Sequence, residues 1–175
     1  MTAHLLALLA APLLSVLAMS IISTPDLGKA GAQCSANEQG PSVKLEVLGL
    51  KDRRGLLKLE LYPAIDHDFL ADDNALIAHG KVFRRVEIGV PQAGPVWICI
   101  RTPGPGTYAL SLLHDRDANH KFGLSVDGVG FPNNPRLGLG KPRAMSAAVR
   151  VGNGPTLTRV VMNYRHGLFS FGPLK

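Results

Sequence analysis

The chain has 175 residues and a mass of 18.6 kDa, which leaves room for one domain and little more. Hydrophobic residues make up 46% and charged residues 18%, excluding a disordered tail protein, while Gly 19 and Pro 13 favour turns over long helices. The formal net charge is +6, and two Cys exclude both a disulfide-dense miniprotein and a four-Cys zinc site.

The first element in chain order is apolar. No residue from Leu5 to Ile22 is charged, and the run is followed by Ser23-Thr24-Pro25 and then Ala30-Gly31-Ala32. Small residues at 30 and 32 fit the two positions read by a signal peptidase, so residues 1–32 read as a signal peptide cut between Ala32 and Gln33. That places the rest in the periplasm or outside the cell. A second reading keeps residues 5–22 as an inner-membrane anchor, since the run is nearly long enough to span a bilayer. A lipid-modified Cys34 is disfavoured, because Gln33 stands where a small residue is needed. In an exported protein Cys34 and Cys99 are expected to form a disulfide, which in the chain-entropy model contributes about 4 kcal/mol; two free buried thiols are the alternative.

Residues 33–41 form a polar lead-in. Seven runs then alternate apolar and polar residues: Ser42–Leu50, Gly55–Tyr62, Lys81–Val90, Val96–Arg101, Thr107–His114, Ala144–Val151 and Thr156–Tyr164. Period two predicts half-buried strands, apolar toward a core and polar toward water. Turn residues separate them, with Lys51–Gly55 reading as a hairpin loop between the first two. Residues 42–165 are therefore expected to form an all-β, two-sheet sandwich of about seven strands. A short turn of helix fits within Asp68–His79, one long irregular loop covers 115–143, and residues 166–175 form an apolar tail. Trp97, beside Cys99, is expected to pack on the disulfide or fill the core.

A loop of that length is commonly functional. It opens on His114-Asp115-Arg116-Asp117-Ala118-Asn119-His120. Oxygens from Asp115, Asp117 and Asn119, with Asp127 further on, are the ligand types a hard cation such as Ca2+ needs. The alternative is a network of Asx turns in which the same oxygens accept backbone N–H groups. A second acidic cluster, Asp66-His67-Asp68 with Asp72-Asp73-Asn74, reads as a solvated loop. No catalytic residues are assigned. Ser111 and His114 fall on opposite faces of a strand, and the nucleophile elbow and phosphate loop are both missing. His114 reads as a strand-end residue bonded to loop backbone rather than a general base.

Three stretches carry a resemblance. They are Pro105-Gly106-Thr107-Tyr108-Ala109, His114 to His120, and Asp127-Gly128-Val129-Gly130-Phe131-Pro132-Asn133-Asn134. They resemble the motifs of the bacterial exported domain family of unknown function numbered 2141, across roughly Val43 to Tyr164. Asp117 stands for that family's Asn, His120 for its Gly, Gly123 for its last Asp and Pro132 for its Ser. The resemblance implies an immunoglobulin-like or transthyretin-like sandwich in the cell envelope. It marks His114, Gly130, Phe131, Asn133 and Asn134 as a motif loop and implies no established activity.

The positive charge is spread over strands and loops without a nucleic-acid recognition motif, so nucleic acid is not an expected partner. The expected function is a non-catalytic envelope module binding a glycan, a protein or an anionic lipid surface. The alternatives are a metal-dependent hydrolase and a calcium-stabilised structural domain, both using the loop at Asp115–Asn119.

Overall fold

The computed structural model describes residues 26–138, 140–167 and 170–174. The apolar run at 5–22, and with it the leader and anchor readings, lies outside the described residues. Among the described residues no helix is long and apolar enough to cross a membrane.

Among the described residues ten strands form: β1 Ser42–Leu48, β2 Leu56–Pro63, β3 Arg84–Gly89, β4 Val96–Arg101, β5 Gly106–Asp115, β6 Gly128–Gly130, β7 Ala148–Val151, β8 Pro155–Val161, β9 Asn163–His166 and β10 Ser170–Pro173. One short helix, α1 Asp73–Ala78, precedes β3; the Asp72 carboxylate caps it by accepting the Ala75 N–H at 2.9 Å. The chain is all-β, in two packed sheets. The smaller has the order β4-β1-β8, with β1 and β8 parallel. The larger has the order β10-β9-β6-β5-β2-β3, and β7 also pairs with β5.

Alternation explains the core between the sheets. Val43, Leu45 and Val47 of β1 face Leu57, Leu59 and Leu61 of β2, with Ile98, Ile100, Leu110, Leu112, Val160 and Met162 closing the interior. Each such side chain contributes roughly 1.5–3 kcal/mol by leaving water.

The expected polar face of the larger sheet is only partly wet. Tyr62 and Ala109, on the side away from the sandwich interior, join Phe69, Leu76, Phe83, Phe131, Ala144 and Ala147 in a second apolar cluster. Residues 64–83, 131–138 and 140–147 cover that face as a third layer. Glu60, Arg85 and Ser111, strand positions read as facing water, are consequently buried. Burial of these charges requires partners. Arg85 Nη2 lies 2.7 Å from Glu60 Oε1 and 2.8 Å from Asp73 Oδ2, and Tyr62 donates its hydroxyl to Glu60 Oε2 at 2.6 Å.

Four further expectations are corrected. Residues 51–55 form no hairpin: they carry the chain from one sheet to the other, because β1 and β2 belong to different sheets. The run Thr156–Tyr164 is two strands that change sheets at Met162, whose N–H is held by Leu48 O at 2.9 Å. The loop 115–143 is not wholly irregular, since Asp115 ends β5 and β6 lies inside it. Trp97 is not in the core but on the outer face of β4, 38% exposed, with Lys44 Nζ 5.3 Å from its ring centre.

Cys34 and Cys99 form the expected disulfide. The residues before it are built into the sandwich. Arg85 N–H donates to Gly28 O at 3.0 Å, Arg101 N–H donates to Ala32 O at 2.8 Å, and Ala32 is fully buried. Lys29 pairs with Glu87 at 2.7 Å.

Candidate functional site

The motif residues hold the molecule together at one end. His114 is fully buried at the end of β5. Its Nε2 lies 2.9 Å from Arg54 O, and a carbonyl only accepts, so Nε2 carries the proton. Nδ1 therefore accepts the Tyr164 hydroxyl at 2.6 Å, and the Tyr164 oxygen in turn accepts Lys51 N–H at 3.0 Å. Burial holds the imidazole below its ordinary pKa and pushes the Tyr164 phenol up to about 12. Both ring nitrogens are committed to a relay that ties residues 51–54 to β5 and β9. Beside it, Arg116 Nε donates to Asp52 Oδ2 at 3.0 Å, and that guanidinium lowers the Asp52 carboxyl to about 2.

The glycines are there because β6 runs against bulky neighbours. A Cβ on Gly128 would lie 2.3 Å from the Tyr164 ring, and one on Gly130 would lie 2.2 Å from Val160 Cγ1. Phe131 packs edge-on to Phe69 in the outer apolar cluster. Asn133 and Asn134 both have positive φ. Asn133 donates to Ala148 O at 2.9 Å, and Asn134 Oδ1 accepts Val161 N–H at 2.7 Å, pinning the turn to two strands.

The loop brings Asp115, Asp117 and Asp127 together, one carboxylate oxygen of each lying within 4.8 Å of the others. Asn119 joins differently, since its Oδ1 accepts Lys121 N–H at 2.8 Å. The two buried carboxylates are already occupied. Asp115 accepts Asn119 N–H at 3.2 Å and His120 N–H at 2.8 Å; Asp127 accepts Arg116 N–H at 2.9 Å and Gly123 N–H at 2.7 Å. Burial and the neighbouring Asp117 raise the Asp115 pKa. Calcium takes six to eight oxygens. One oxygen from each of three carboxylates supplies at most half that number, and the hydrogen bonds they make to backbone amides are those of an Asx-turn network. The second acidic cluster, by contrast, does not converge: Asp66 accepts Ala144 N–H, Asp68 meets His67 and Lys81, Asp72 caps α1 and Asp73 binds Arg85.

Two hollows of similar volume are found among the described residues, a shallow one of about 480 Å³ beside Pro63, Tyr108 and Met145 and a more enclosed one on the outer face of the larger sheet. A cleft of about 470 Å³ opens where the third layer stops short of covering β2, β5 and β6. Register places its floor: Lys58 pairs with Leu113 and Glu60 with Ser111, and Leu113 pairs with Val129. Phe122, Leu124 and Phe171 form one wall, with the Phe122 and Phe171 ring centres 6.3 Å apart. Leu70, Phe131, Leu137 and Lys141 form the other. Phe122 is 48% and Leu124 53% exposed, an unusual state for two large apolar side chains beside one cavity. Ser111 stands on the floor while His114 points to the opposite face of β5, so the two do not meet.

Sequence reasoning located the loop but missed the cleft residues Lys58, Phe122, Leu137, Lys141 and Phe171. One signal was available. Residues 128–175 contain seven Lys or Arg and no Asp or Glu, so the whole excess of positive charge lies in the part of the chain that builds β6 to β10 and one cleft wall.

No curated protein and no solved structure gives a significant match to this chain. A family described as "Uncharacterized protein conserved in bacteria (DUF2141)" matches residues 45–159, which span both sheets and the motif loop. The chain belongs to the DUF2141 family.

Proposed function

We propose that this protein is an exported cell-envelope binding module behind a leader built on the apolar run 5–22, and that it takes a small, largely apolar ligand without chemical turnover. The observation that carries the reading is the cleft of about 470 Å³ on the outer face of the larger sheet. Its size falls within the roughly 300–1,000 Å³ of small-molecule sites, and its lining has their character: mostly apolar side chains around a few polar groups. The Cys34–Cys99 disulfide supports residence in an oxidising compartment, the periplasm or the exterior. The charged groups nearest the floor, Lys58, Glu60, Arg85 and Asp73, neutralise one another, which suits a binding surface better than an acid–base pair.

The test is binding of the uncharged dye Nile red to the exported protein, followed by its fluorescence. Binding is expected at one site, and Val129→Phe, which places a ring over the floor, is expected to weaken it at least about tenfold at an unchanged melting temperature. A wild-type protein that leaves the dye in water would overturn the reading.

A further inference from the structure

The cleft is mostly apolar but also carries charged side chains. Lys58 and Lys141 both line it, and they differ in their partners. The Lys58 ammonium lies 3.7 Å from Glu60 Oε1 and donates to His120 O at 3.3 Å, so its charge belongs to the Lys58–Glu60–Arg85–Asp73 group of two cations and two anions. Lys141 has no such balance. Its Nζ donates to Asp66 O at 2.9 Å and to Phe69 O at 2.6 Å, two carbonyls that fix the ammonium without cancelling its charge. No carboxylate among the described residues lies within ion-pair distance of it. An ammonium has three protons to donate, so one remains for a ligand.

The surroundings reinforce the sign. Arg136, Lys141 and Arg143 fall within eight residues, and no Asp or Glu follows Asp127. An apolar channel beside a fixed cation that no carboxylate pairs with complements a molecule with a hydrocarbon body and one negative head.

We propose that the cleft binds a single-chain amphiphile with an anionic head, the head seated on Lys141 Nζ and the chain lying between Phe131 and Leu137 on one side and Phe122, Leu124 and Phe171 on the other. This rests on the binding-module reading and adds the ligand class. A carboxylate and a phosphate monoester share the chemistry the ammonium recognises. Hydrophobic burial of the chain supplies most of the affinity. The charge-assisted hydrogen bond at Lys141 supplies the preference for an anion, about tenfold or more for such a bond.

The experiment is calorimetric titration of the exported protein with dodecanoate, dodecyl phosphate, dodecanol and dodecylammonium. The two anions are expected to bind at least about tenfold more tightly than the alcohol, and the ammonium compound more weakly than the alcohol. Lys141→Met is expected to bring dodecanoate down to the level of dodecanol and to leave dodecanol where it was. Lys141→Arg is expected to keep the preference, which separates loss of charge from loss of structure. Equal binding of anion and alcohol by the wild type, or an unchanged preference in Lys141→Met, would overturn the inference. If dodecanol and Nile red bind without an anion preference, only the ligand class fails. If neither binds, the binding-module reading fails with it. Attachment to phosphatidylglycerol vesicles without binding of soluble dodecanoate would also overturn the inference, since it would make this face a membrane contact.

Discussion

His114 shows how a motif histidine can be structural. Its nitrogens span from Arg54 O to the Tyr164 hydroxyl, and a proton added at Nδ1 would turn that nitrogen from acceptor to donor and take away the partner of the hydroxyl's own proton. The folded pKa is therefore lowered, and burial is the main cause. Above about pH 6.5, the ordinary imidazole value, both folded and unfolded chains carry a neutral ring and titration contributes nothing. Below it the unfolded chain takes up the proton first, so stability falls as pH falls, by up to about 1.4 kcal/mol per pH unit until the folded pKa is reached. Urea unfolding of the wild type and His114→Gln between pH 7.5 and about 5 checks this. The gap between the two should shrink on acidification, and a constant gap would show that His114 does not titrate differently in the folded protein. Strand parity was enough to place His114 and Ser111 on opposite faces. Tyr164, fifty residues on, left no sign in the local sequence that it would be the partner.

At the scale of elements, period two identified which residues of β1, β2, β4 and β5 face the interior, because hydrophobic alternation is a local property. It could not identify the third layer. Glu60, Arg85 and Ser111 are polar, and a polar residue on a strand reads as wet whether water or a balanced ion group covers it. Long-range packing also holds the segment before Cys34. Small residues at 30 and 32 suggested a peptidase site, yet residues 28–32 lie along β3 and β4 with two backbone hydrogen bonds, the Lys29–Glu87 pair and a buried Ala32. Gly28 adopts φ 78° beneath Phe83, a conformation and a space that suit glycine. We expect the mature chain to keep this segment, the cut falling upstream of Gly28. Intact-mass measurement of exported protein checks the start. A version beginning at Gln33 should be less stable by about 2–3 kcal/mol, from the lost hydrogen bonds and the uncovered Glu87. Equal melting of versions beginning at Asp26 and at Gln33 would contradict it.

Across the whole molecule, all-β composition and two-sheet architecture were legible because seven alternating runs and their turns admit few alternatives. The assignment of strands to sheets was not legible, since β1 and β2 are as close in sequence as hairpin partners and only long-range packing separates them. Charge balance also emerges only at this scale. Acidic groups are concentrated in the first 127 residues, where the structure assigns most of them to amides, caps and ion pairs. The Asp115–Asp127 loop is the clearest case, and it yields the last prediction. If backbone amides satisfy these carboxylates, an ion has little to add. A ligand of the folded state raises stability by RT ln(1 + [L]/Kd), so calcium in large excess over a sensor-grade Kd of about 10⁻⁶ M would add several kcal/mol. We expect melting curves in millimolar calcium and in chelator to coincide. For the same reason Asp127→Asn, which keeps one acceptor for Arg116 N–H or Gly123 N–H and loses the other, should cost about 1–3 kcal/mol whether or not calcium is present. A calcium-dependent rise in melting temperature, abolished by Asp127→Asn, would show instead that the loop opens its amide bonds to hold an ion.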